Sequence, residues 1–176
     1  MSKRLALIAF ISAVVIQVVM LVRLPAGIVY TLATGKSVSL KVQPIDPYSI
    51  LSGYYVTLNF EISRIEAFPN HTDFAGSKKC YAIIEKSADG TWRPMTLEHE
   101  LPKNLPENRA ALLGRIYYGR IEYGIEHFYI PETNRSVIGE DLNRNREKAY
   151  VEIKVDKSGN AALERLRIED RVYESK

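Results

Sequence analysis

Few residues in this chain have the type and spacing for chemistry, and the acids come first. Asp46 and Glu132 lie in turn-forming sequence, "PIDPY" and "IPETN". Two carboxyls held about 5–10 Å apart across a cleft can serve as general acid and base on a polymer or peptide. Ser49 and Ser52 precede Gly53, and a Ser-Lys hydrolase would need a lysine of depressed pKa within reach of one of them. No local pattern brings Lys78 or Lys79 there, so these serines read as the end of a turn. "LEHE" sets His99 between Glu98 and Glu100. On a strand the two acids share one face and the imidazole takes the other, so the three do not chelate one ion.

His71 and His127 are isolated, and Cys80 is the sole cysteine, inside strand-like "KKCYAIIEKS". That pattern implies a buried thiol, no internal disulfide and no metal site. "GRIEYG" lacks the dinucleotide spacing and no phosphate-binding loop occurs, so no cofactor is expected. Sequons stand at Asn70 and Asn134, relevant only where a source glycosylates. The residue in excess is tyrosine, with eleven copies in stretches such as "GYYV", "IYYG", "IEYG" and "HFYI". Core and rim packing of a curved sheet accounts for most of them. The sharper reading is a tyrosine-lined groove for a peptide, a glycan or a partner helix.

The elements that must position these residues begin with an anchor. Leu5 to Val22 is interrupted only by Ser12 and Gln17 and spans about 27 Å as a helix, close to the hydrocarbon thickness of a bilayer. Its length and flanks favour an uncleaved transmembrane anchor over a signal peptide. Lys3 and Arg4 place the N-terminus in the cytoplasm and the rest outside it. Residues 1–35 therefore form a cytoplasmic stub and anchor, with "GIVYTLATGK" prolonging the helix to a stop at Gly35. Residues 1–35 carry Lys3, Arg4 and Arg23 and no acid, so residues 36–176 are formally neutral. A neutral domain lacks the field that phosphate backbones require, and nucleic acid is excluded as a partner.

Residues 36–176 read as one extracytoplasmic, antiparallel, β-rich α+β domain, a curved sheet or small barrel with one short helix. "SVSLKV" alternates as a strand. Pro44, Asp46 and Pro47 form a turn. "YYVTLNFEISRI" reads as a long strand with Tyr54, Val56, Leu58, Phe60 and Ile62 on one face. "KKCYAIIEKS" and "WRPMTLEHE" form a hairpin about Asp89-Gly90. In "ALLGRIYYGRIEYGIEHFYI", Gly114, Gly119 and Gly124 suggest bulges or tight bends. The helix falls in "PETNRSVIGEDLNRNREK", with Val137, Ile138 and Leu142 facing the sheet. "AYVEIKVDKSGNAALERLRIED" closes the chain as a second hairpin.

"PIDPYSILSGYYVTLNFEIS" resembles the bacterial GDYXXLXY family, named for a Gly-Asp-Tyr-x-x-Leu-x-Tyr signature after a Pro-x-Asp-Pro turn that follows a membrane helix. Gly53, Tyr55 and Leu58 match the signature, and Pro44, Asp46 and Pro47 match the turn. Tyr54 stands where the family has Asp, and Phe60 where it has Tyr. "YGIEHFYIPE", Tyr123 to Glu132, is similar to a second block of the form Tyr-Gly-x-Glu-x-(Tyr/Phe)-x-x-Pro-Glu. The last hairpin is also similar, so the likeness runs from anchor to C-terminal strands. Losing the signature Asp removes any acid-base role at that position. The resemblance implies a membrane-anchored protein without assigned activity, an accessory to polytopic membrane proteins. The leading expectation is thus a single-span binding module whose partner is another membrane or envelope component. Its site residues would be Asp46, Gly53, Tyr54, Tyr55, Leu58, Tyr129 and Glu132. The rival is a membrane-tethered hydrolase using Asp46 and Glu132.

Overall fold

A computed structural model describes residues 3–43, 51–52, 55–74, 76–129, 135–145 and 148–174. The apolar run is one helix, α1, Lys3–Thr34, about 48 Å long at helical rise. Its side chains face outward all round, with Leu7 59%, Phe10 67% and Leu21 71% exposed. A helix of a water-soluble core would bury a stripe, and this one buries none over the apolar stretch. The segment is long and apolar enough to cross a membrane over Leu7–Thr34. Among the described residues, only its last turn engages the domain. Thr31 is buried, and its Oγ1 donates to Asp156 Oδ2 at 2.9 Å. Gly35 ends the helix as expected. Its N–H donates to the Thr31 carbonyl at 2.8 Å, and a Cβ there would stand 2.4 Å from that oxygen.

The strands are β1 Lys36–Lys41, β2 Leu51–Ser52, β3 Tyr55–Thr57, β4 Lys79–Lys86, β5 Trp92–Glu98, β6 Arg109–Tyr117, β7 Arg120–Glu122 and β8 His127–Tyr129. Helix α2, Arg135–Arg144, precedes β9 Ala149–Val155, β10 Ala161–Ile168 and β11 Arg171–Glu174. They form three sheets, ordered β1-β9-β10-β11, β2-β3-β8 and β5-β4-β6-β7. Every pairing is antiparallel. The architecture is thus the expected one, an apolar helix followed by antiparallel sheets about one core. Val38 and Leu40 of β1, Ala82 and Ile84 of β4, and Val151 and Ile153 of β9 all belong to that core.

Both hairpins form where the turn residues put them. In the first, a ladder shift between Ile83 and Ile84 leaves Met95 as the extra residue next to Pro94, since proline sits in a sheet only where the ladder yields. In the second, Gly159 (φ +85°) brings the β9–β10 turn onto β6, and its carbonyl accepts the Leu113 N–H at 2.8 Å. β11 adds an edge strand beyond the expected hairpin. Ile138 and Leu142 of α2 are buried as read.

Two expectations need adjusting. Val56, Leu58, Phe60 and Ile62 are all buried as read, but the strand itself ends at Thr57, with only an isolated bridge at Phe60 beyond it. Leu58 N–H donates to Glu126 O at 2.7 Å, while Gln43 N–H donates to Asn59 O at 2.7 Å and Val42 bridges Phe60. The segment therefore passes from one sheet to another and then coils into 3-10 turns at Glu61–Ser63 and Ile65–Ala67. The three glycines also do different work. Gly119 and Gly124 occupy left-handed turn positions. Gly114 is a close contact, where a Cβ would stand 2.3 Å from Ile121 Cγ2.

Candidate functional site

The two sequence blocks meet in space. Tyr55 of β3 pairs with Tyr129 of β8, and Thr57 with His127. Period-two alternation sends Val56 and Phe128 into the core and leaves Tyr55, Thr57, His127 and Tyr129 on the outer face. Tyr55 packs edge-on to His127, centroids 4.8 Å apart, and tilts toward Tyr129 at 6.0 Å. Tyr129 is 55% exposed, an aromatic face that no described side chain covers.

This face runs into an open cleft of about 720 Å³ between β3–β8, β6–β7 and the β9–β10 turn. Thr57 and His127 belong to both. Leu58 and Tyr123 line the floor, Asn59 and Asn160 the walls, and Arg115 and Arg120 the rim. The second block builds the floor rather than offering free groups. The Glu126 carboxylate accepts the N–H groups of Tyr123 at 2.6 Å and Gly124 at 2.8 Å, closing the turn that Gly124 makes. Tyr123 donates its hydroxyl to Ile62 O at 2.7 Å. Burial, with the charges of Cys80 and Glu126 adding to it, pushes its pKa far up, so it stays a neutral donor.

Ser63 also lines the cleft, and among the described residues its Oγ is buried without a hydrogen-bond partner. A buried hydroxyl left so costs about 1–3 kcal/mol unless a water or another polar group meets it. At the tip of the β6–β7 hairpin, Tyr118 adopts φ +47° and is 94% exposed, and Tyr117 meets it edge-on, ring centroids 4.9 Å apart. Tyr118 and Gly119, both at positive φ, form a two-residue primed turn, where asparagine or glycine is the usual first residue.

Of the seven anticipated site residues, Tyr55 and Tyr129 are paired and exposed to the outer face, and Leu58 is buried beneath the cleft. Asp46, Gly53, Tyr54 and Glu132 lie outside the described residues, as does the Pro44–Pro47 turn, so the separation of the two carboxylates is not part of this structure. The sequence reading missed Ser63, Arg115, Arg120 and His127. For the two arginines a signal existed: five residues apart across a two-residue turn, they fall on one face of a hairpin.

Elsewhere, the reading of Cys80 as a buried thiol holds. Cys80 is buried, and burial raises its thiol to about 11, so it is unreactive. His99 stacks on Phe74 at 4.2 Å. Asn70 uses its side-chain amide on both backbone groups of Leu97, at 2.8 and 2.9 Å, so that sequon's nitrogen is engaged. Asn134 lies outside the described residues. Among the described residues no three His, Cys, Asp or Glu side chains converge on a metal position.

A family model described as GDYXXLXY protein matches residues 17–166, from within α1 to β10. No curated protein and no solved structure matches the chain.

Proposed function

The chain belongs to the GDYXXLXY family, and from that membership we propose that it is a single-span membrane protein whose extracytoplasmic domain binds a partner. The partner is another membrane protein, for which this chain serves as an accessory. The observation that carries the reading is the uncovered tyrosine rim. Tyr117, Tyr118 and Tyr129 are 64%, 94% and 55% exposed, Tyr117 opposite Arg120 and Tyr129 two residues from His127, both of which line the cleft, and tyrosine concentrates binding energy at protein interfaces. Support also comes from α1, apolar on every side, which has no place in water.

The test places a photo-crosslinking amino acid at Tyr118 in the full-length protein in its native membrane. A discrete adduct with one polytopic protein, absent when the same amino acid replaces the remote, exposed Lys103, is the expected result. Adducts only with lipid, or only with a second copy of the chain, would refute the accessory role.

A further inference from the structure

A row of cations crosses the sheet beside the tyrosine rim. Arg64 lies directly opposite Arg120 in an antiparallel bridge. Arg120 pairs with Tyr117, which puts it diagonal to Arg115, and Arg115 lies opposite Lys79. Paired residues in such ladders share a face, and all four side chains are exposed. Like charges set directly opposite each other on a sheet destabilise it, yet this face holds two such pairs.

None of the four makes an ion pair among the described residues, whereas Arg109, Arg165 and Arg171 elsewhere all do. Arg120 donates to the neutral Asn59 Oδ1, and the Lys79 ammonium rests 5.4 Å over the Tyr81 ring. The carboxylates nearby include Glu122, opposite Arg115, Glu66, beside Gly119, and Glu126, which lines the same cleft and is held by two backbone N–H groups. Cations therefore still outnumber carboxylates along the row. It adjoins Ser63, whose buried hydroxyl lacks a partner.

We propose that this row is the docking site for an acidic segment of the partner protein, with carboxylates bridging the opposed cations and one reaching toward Ser63. The inference rests on the tyrosine rim being a partner surface. A protein segment fits better than other polyanions because Tyr117 and Tyr118 border the row. Arginine beside tyrosine is the composition of protein interfaces, and guanidinium forks donate two parallel hydrogen bonds to one carboxylate.

The test uses the full-length protein in detergent micelles and a fluorescein-labelled oligoglutamate peptide, read by anisotropy. Oligoglutamate is expected to bind, oligoglutamine not, with affinity falling as salt rises. R115E together with R64E weakens binding at least about tenfold, while K103E, outside the row, leaves it unchanged. Thermal unfolding of each variant separates lost binding from lost fold. Equal binding of oligoglutamate and oligoglutamine, or no effect of R115E and R64E in a folded protein, overturns the proposal. So does tighter binding of a single-stranded oligonucleotide or of anionic phospholipid vesicles. If the Tyr118 adduct persists undiminished in the charge-reversed protein, the accessory role stands and the acidic segment falls. Loss of the adduct in the wild type removes the premise instead.

Discussion

Single residues show where this fold gives up stability. Tyr118 pairs a left-handed backbone with a side chain that touches little but Tyr117. A non-glycine residue there costs about 1–2 kcal/mol, which asparagine largely avoids. Tyr118→Asn is expected to raise the urea midpoint of the folded domain while reducing crosslinking or capture of the partner. A fall in both would mean the ring packs rather than binds. Gly159 is the opposite case. At φ +85°, a Cβ would meet Leu113 N at 3.1 Å and Ala111 O at 3.2 Å, both backbone atoms of a packed strand. Gly159→Ala should therefore destabilise by about 1–3 kcal/mol, measured by urea unfolding against Gly27→Ala, a site with open space. Ser63→Ala removes the orphan hydroxyl, and stability in the absence of partner should rise by about 1 kcal/mol.

Among elements, the β9–β10 turn joins helix to domain. Asp156 accepts from Thr31 Oγ1, from the Ser158 and Asn160 N–H groups at 2.8 and 3.0 Å, and from Asn160 Nδ2 at 2.9 Å. Burial pushes its pKa up, but the bonds from Asn160, Thr31 and Ser158 together outweigh it and hold the carboxyl below its ordinary value. A carboxylate depressed in the folded state contributes stability above its unfolded pKa, and that contribution fades as pH falls through the folded value. Thr31→Val deletes one bond, so its penalty of about 1 kcal/mol should be full at neutral pH and shrink below the ordinary carboxylate range. Denaturation series at several pH values check this. A pH-independent penalty would point to packing of Thr31 instead.

At the scale of the molecule, a neutral β-domain hangs from a helix that is apolar all round. Residues 36–176 carry the whole hydrophobic core, so a chain lacking the first 35 residues is expected to fold and stay in solution, while the full chain needs detergent. Circular dichroism and size-exclusion chromatography of the shorter chain decide. A fragment that aggregates would show that α1 stabilises the domain beyond its last turn.

Read alone, the residues dictate a great deal of this. The Leu5–Val22 run, the alternation of Val56, Leu58, Phe60 and Ile62, and the glycine-bearing turns at Gly90 and Gly159 are local signals. Sterics and burial impose them within a few residues, so helix, strands and hairpins were legible. The likeness of the two tyrosine blocks to one family was legible too. What the tertiary structure alone decides is partnership. That Tyr55 lies against Tyr129, that Tyr123 donates to Ile62, and that Arg64 faces Arg120 depend on contacts between residues 56 to 74 positions apart. No periodicity encodes such pairings, because a strand's alternation says which side is buried but not against whom. The cleft and its cationic row belong to that second kind of information.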